Sequence, residues 1–135
     1  MTGRAAIANM VEEAYAARCR GDLDGLVQHL HPACSYRMIG APEAEPMCRE
    51  TCGLESVRSQ MSELIRHYAF TEVEPLSLTV EGDRAVYRWR TKVTFVPSGR
   101  SEVMDIMDLI RFEDGKIRSV EEFTDTAGVM RLSTT

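Results

Sequence analysis

The hydrophobic period of this chain changes once, near residue 70, and that change decides which class of fold it can adopt. Before it, apolar residues recur every three or four positions, the spacing of one helix face. Ile7, Met10, Val11 and Ala14 follow it over residues 4–20, and Arg18 completes the same face. Leu54, Val57, Met61, Leu64, Ile65 and Tyr68 follow it over residues 54–68, with charged residues on the other side. After it, the period is two. Residues 70–80, 84–95, 101–113 and 116–125 read as strands, separated by Glu81-Gly82-Asp83, Pro97-Ser98-Gly99 and Asp114-Gly115. Helices first and a strand meander afterwards predict an α+β fold, with the helices on one face of a curved antiparallel sheet.

The shorter signals fill in the first half. Gly21 ends the first helix as a left-handed cap. Asp22 caps a second, short helix with Leu23, Leu26, Val27 and Leu30 as its stripe, closed by Pro32. Residues 34–39 read as a first strand with Tyr36 and Met38 on one face. Residues 40–53 hold two prolines and no period, so they read as an irregular loop of functional length. Pro75 makes its strand bent or an edge. Beyond residue 125 the chain reads as a short tail.

At 135 residues this is one domain, large enough to bury a core without a disulfide or a metal. A net charge of −5 disfavours nucleic-acid and anionic-membrane surfaces, which need excess cation. No apolar run approaches the ~20 residues of a membrane span. The first residues lack the apolar core of a signal peptide, so a cytoplasmic location with reduced thiols is expected. Cys48 and Cys52 are separated by three residues, the wrong spacing for a zinc knuckle. His29, His31 and Cys34 are better read as helix-end and core residues than as metal ligands, and no metal or cofactor is expected. Phosphate-loop, G-x-S-x-G and H-E-x-x-H motifs are absent.

Several pieces in order carry a family resemblance. They are Tyr15-Ala-Ala before Gly21-Asp22-Leu23-Asp24, Gly53 leading into a helix, Val80-Glu-Gly-Asp-Arg-Ala-Val, Ile110-Arg-Phe-Glu-Asp-Gly-Lys-Ile and Glu122-Phe-Thr-Asp-Thr-Ala. Together, from about residue 11 to 132, the chain resembles the nuclear transport factor 2-like superfamily, within it the SnoaL-like and ketosteroid-isomerase-like proteins. The resemblance implies a cone-shaped, cystatin-like α+β barrel, its curved sheet packed on three N-terminal helices around a cavity for a mainly apolar small molecule. It also implies a homodimer through the outer face of the sheet.

The residues that can carry chemistry lie on the strands. Alternation over 101–113 places Met104, Ile106, Asp108, Ile110 and Phe112 on one face, so an acid stands in the middle of an apolar row. A carboxyl buried there is expected to keep its proton and to act as an acid or hydrogen-bond donor, or else to be paired with an arginine for structure. By resemblance Asp108 occupies the position at which ketosteroid isomerases keep a hydrogen-bond donor, a protonated aspartate in an apolar pocket. The rest of that site is missing: the general-base position falls at Arg37 or Met38, neither of which is an acid, and the tyrosine position falls at Ala14, one step from Tyr15.

On the last strand Arg118, Val120, Glu122 and Thr124 share a face expected to point into the cavity. Glu122 is then either a general base or a rim carboxylate in water. Tyr15, Tyr36 and Met38 are candidates for the cavity mouth, each equally readable as core. Arg88 and Arg90 share one side of their strand, opposite Tyr87, Trp89, Val93 and Phe95. Patterning turns the aromatics inward. The resemblance to limonene epoxide hydrolases, in which an arginine sits between two acids, turns the arginines inward to bind substrate, and that second arrangement is the one expected here. Two functions remain open: an acid–base enzyme acting by isomerisation, cyclisation, dehydration or hydrolysis, with Asp108 and Glu122 catalytic, and a non-catalytic ligand-binding or dimeric interaction module.

Overall fold

The computed structural model describes residues 3–40 and 48–134. Residues 41–47, half of the loop expected over 40–53, lie outside the described residues. The elements are α1 (Arg4–Cys19), α2 (Leu23–Val27), β1 (Leu30–Met38), β2 (Thr51–Cys52), α3 (Leu54–His67), β3 (Tyr68–Glu81), β4 (Arg84–Phe95), β5 (Arg100–Glu113), β6 (Lys116–Thr124) and α4 (Thr126–Ser133). Six strands form one sheet in the order β2-β1-β6-β5-β4-β3. The meander β3 to β6 is antiparallel throughout, and β1 returns parallel to β6. This is the α+β arrangement that the change of period predicts.

Local chemistry sets the element ends. Helix α1 stops in a Schellman motif: Asp22 N–H donates to the Ala17 carbonyl at 2.8 Å and Gly21 N–H to that of Arg18 at 3.2 Å. Gly21 sits at φ 76°, a conformation that glycine adopts without a Cβ penalty. The Asp22 carboxylate then accepts from Gly25 N–H at 2.9 Å and caps α2. The β5–β6 hairpin turns through Asp114 and Gly115, both at positive φ, as a two-residue primed turn requires. Strand β3 is the sheet edge opposite β2 and is bulged on both sides of Glu74–Pro75. That is where a residue without an N–H is tolerated. The Thr91 hydroxyl, fully buried on β4, donates to the Thr71 carbonyl at 2.8 Å beside the first bulge.

Three local expectations change. Pro32 does not close a helix: the chain enters β1 at Leu30, because one turn of α2 is already ended at Gln28. Arg118 does not face inward with Val120. A register shift between Arg111 and Phe112 brings Ile117 to the interior instead, and Arg118 turns to Glu113 at 3.6 Å. The chain end is not a plain tail. Asp125 accepts from Gly128 N–H at 3.0 Å and caps α4, whose Val129 and Leu132 pack beside Val93 and Met104. The fold therefore has a fourth helix after the three N-terminal ones.

The core lies between the concave face of the sheet and helices α1 and α3. Ile7, Val11, Ala14 and Ala17 line the buried face of α1, and Ile106, Ile110, Phe112, Tyr87 and Trp89 face them from the sheet. Among the described residues no helix is long and apolar enough to cross a membrane.

Candidate active site

The interior is not filled completely. A cavity of about 150 Å³ runs between α1, α3 and the sheet, its wall formed by residues such as Leu26, Met61, Leu64, Phe70, Val93 and Ile106. An apolar cavity of that size accommodates a guest on the order of one aromatic ring. The polar side chains reaching it are few: Tyr15 and Arg18 from α1, Tyr36 from β1, Glu122 and Thr124 from β6, Ser35 and Tyr68.

Asp108 stands where alternation places it, at 0% exposure between Ile106 and Ile110. One of its oxygens, Oδ2, accepts two hydrogen bonds, from the Tyr15 hydroxyl at 2.6 Å and from the Trp89 indole N–H at 3.2 Å. The other, Oδ1, is buried and receives no donor. Directly across the β5–β6 ladder is Glu122. Facing carboxylates ~5 Å apart at Cβ repel when both are ionised. Burial pushes the Asp108 pKa well above the usual carboxylate range, and the Glu122 charge pushes the same way, against the Tyr15 and Trp89 donors. Oδ2 is taken up by its two donors, which leaves Oδ1 as the oxygen on which a proton would be carried. Asp108 itself is absent from the cavity wall; Glu122 is the carboxyl that meets the cavity.

Glu122 Oε1 accepts from the Tyr36 hydroxyl at 2.8 Å. Burial, then the Glu122 charge, raises the Tyr36 pKa well above the ordinary tyrosine value, so the phenol remains a donor; burial and Asp108 do the same for Tyr15. The rings are held tightly. Tyr15 meets Tyr87 and Trp89 edge-on, with centroids 4.8 and 5.6 Å apart, and Phe70 meets Trp89 edge-on at 5.3 Å. Such contacts fix the rotamers that aim Tyr15 and Trp89 at one oxygen.

Arg88 and Arg90 are not in the cavity, and this corrects the arrangement expected from the resemblance. Arg88 is exposed, and Arg90 donates to Asp105 at 2.8 Å on the outer face, with Glu74 at 3.6 Å. The register of β4 on β5 runs without a shift from Arg84–Arg111 to Phe95–Arg100. With no bulge to invert the alternation, Tyr87 and Trp89 turn inward, and large aromatic surfaces are buried in place of two guanidiniums that would have to shed water. Tyr15, Tyr36 and Met38 all line the cavity.

The arginine of the cavity is Arg18. Its Nη2 donates to the carbonyls of Leu64 and Tyr68 at 3.3 and 3.1 Å, and its guanidinium carbon lies 4.0 Å from the centre of the Phe70 ring. Arg18 and Trp89 are the site residues that sequence motifs do not reveal. The signal for Arg18 is its place on the apolar face of α1, four residues after Ala14. A separate cluster at the hairpin end, His31 with Glu113 and Asp114, is explained without a metal. His31 Nδ1 accepts from Ala33 N–H at 2.9 Å, which leaves the ring hydrogen on Nε2, facing the two carboxylates at 3.4 and 3.3 Å.

Solved structures share this architecture. An NTF2-like protein of unknown function from Burkholderia pseudomallei K96243 is 27% identical over 100% of both chains, with a TM-score of 0.84. TsrD from Streptomyces laurentii is 26% identical over 98% of this chain and 97% of its own, with a TM-score of 0.74. TerC, co-crystallised with polyporic acid, is 18% identical over 93% of this chain and 95% of its own, with a TM-score of 0.78, and at that identity speaks for the fold alone. No curated protein matches the chain in sequence. The SnoaL-like domain model matches residues 2–120, and with the α+β architecture and interior cavity described above the chain belongs to that family, within the NTF2-like superfamily.

Proposed function

We propose that the protein is a cofactor-independent acid–base enzyme that moves a proton on a small, mainly apolar organic molecule, with Glu122 as the transferring group. The observation that carries this is a carboxyl at the wall of an apolar cavity, held by a phenol and faced across the ladder by a buried carboxyl. A positioned carboxylate in a water-poor cavity accepts a proton from an activated carbon without first shedding a hydration shell. The electron pair of the broken C–H bond moves onto the adjacent carbonyl oxygen, and return of the proton at another carbon completes an isomerisation with no net oxidation. Asp108 is a positioning residue: it stands directly across the ladder from Glu122, and its Oδ2 is held by Tyr15 and Trp89. Tyr36 fixes the other side of Glu122. Met38 and Tyr15 shape the binding space.

The test uses enolisable probes of suitable size, phenylacetone and phenylpyruvate, in deuterated buffer, with loss of the exchanging proton followed by NMR. The protein should accelerate exchange over buffer, and Glu122→Gln should remove about two orders of magnitude or more of that acceleration while retaining the melting temperature. Binding of a probe without acceleration would support the non-catalytic binding module instead.

We also infer that the outer sheet face pairs with a second copy. Val103, Met107 and Phe123 are 65, 43 and 41% exposed there, next to Arg88, Arg90, Asp105 and Glu121, a mixture of signs suited to self-pairing about a twofold axis.

A further inference from the structure

An arginine turned inward requires a reason. Arginine normally buries its stem and leaves its head in water. Arg18 instead directs its head into the cavity, held by the Phe70 ring and by the carbonyls at the C-terminal end of α3, where the helix carries partial negative charge. These contacts occupy one nitrogen and one face. Among the described residues no carboxylate forms an ion pair with the guanidinium, and its remaining N–H groups have no protein partner there. Among the described residues the one carboxylate on the cavity wall, Glu122, is engaged by Tyr36 and lies beyond ion-pair reach, near enough only for its charge to be felt. Arg18 is half-buried, and a charge withdrawn from water for structure alone is normally paired. Here the pairing position opens onto the cavity, and the planar fork of a guanidinium matches the two oxygens of a carboxylate.

We infer that Arg18 is the substrate-recognition residue for an anionic oxygen group, and that the cavity takes a small aromatic or aliphatic carboxylate with its acid on Arg18 and its apolar body against Phe70, Leu64 and Met61. The inference deepens the proposed function, since it concerns the same cavity. It also puts the substrate near the proposed base: the charge of Glu122 is felt at Arg18, so a carboxylate held there shares the cavity with it. Burial pulls the Arg18 pKa below the ordinary arginine value, against the opposing pull of Glu122; a guanidinium still remains charged in a protein.

The experiment is a matched pair of ligands of the same shape, phenylacetate and phenylacetamide, titrated by NMR into the full chain. The wild type should bind the acid about tenfold or more tightly than the amide, the scale of a charge-assisted hydrogen bond. Arg18→Met should abolish that preference while leaving amide affinity within about threefold. Should the methionine variant fail to fold, Arg18→Lys decides the matter: it keeps the charge and loses the fork, and the preference should fall severalfold. Equal binding of acid and amide to the wild type, absence of binding by both at millimolar concentration, or an unchanged preference in the folded Arg18 variants would each overturn the assignment. Binding and proton exchange are read separately. A wild type that accelerates exchange without preferring the acid removes this inference alone, whereas a preference in the wild type without exchange upholds it and removes only the catalytic reading.

Discussion

Replacing Asp108 by asparagine should change how stability depends on pH, with a sign that the structure fixes. Asp108 is 0% exposed, with Tyr15 and Trp89 donating to one oxygen and Glu122 across the ladder. Tyr36 and Arg18 bear on the same carboxyl pair from β1 and α1. Burial first, and the Glu122 charge second, raise its pKa in the folded state. The unfolded chain titrates near ~3.9. A carboxyl with a raised folded pKa binds its proton more tightly when folded. Its contribution to stability is therefore complete below about pH 4 and is lost as pH rises through the folded value. Over that window one proton separates the two states, so the slope reaches about −1.4 kcal/mol per pH unit.

Asparagine has the shape of the neutral acid. It keeps an acceptor for Tyr15 and Trp89, presents N–H to Glu122 and cannot ionise. The stability of Asp108→Asn relative to the wild type should thus be small near about pH 4 and grow in favour of the variant with rising pH, at up to about 1.4 kcal/mol per unit. Urea denaturation of both proteins at several values from about pH 4 to about pH 8 measures the difference directly, provided the denaturant slope m is unchanged. A difference that stays constant over that range, or that grows against asparagine, would refute the claim that this carboxyl is held in its neutral form.

Two further outcomes rest on the packing. Met107→Glu places a charge at the centre of the exposed outer strip, and light scattering should then report a monomer where the wild type is a dimer; a wild-type monomer removes the proposed self-association. Asp125→Ala removes the α4 cap and should cost about 1 kcal/mol, with faster amide hydrogen exchange over residues 126–133 as its local signature.

Much of the fold is legible in the sequence, because period and turn chemistry are local. The passage from a three-to-four spacing to a spacing of two gives helices followed by a meander, and Asp114-Gly115 marks its tightest turn. The burial of Asp108 follows from alternation alone, since β5 keeps its phase from Met104 to Phe112. Where a strand carries competing cues, local pattern is also the better guide than resemblance: the aromatic side of β4 is the inner one. Helix α4 is signalled by Asp125, Gly128 and the three-residue spacing of Val129 and Leu132, but a segment of eight residues has too little period to stand out after a long strand.

The tertiary structure decides what these residues do together. Asp108 and Glu122 become a facing pair only through the register of β5 on β6. The register shift between Arg111 and Phe112 determines which residues of β6 turn inward, and no property of Arg118 or Ile117 alone announces it. Arg18 reads in the sequence as the last member of an apolar helix face. Its chemistry depends on the Phe70 ring and the α3 carbonyls that receive it, from segments about fifty residues away. Where a strand keeps its phase, as β4 and β5 do, sequence determines which side chains are buried, because burial there follows from a local period. Which buried polar groups meet, and whether a guanidinium at the cavity wall is left without a carboxylate, depends on long-range packing that no local period encodes.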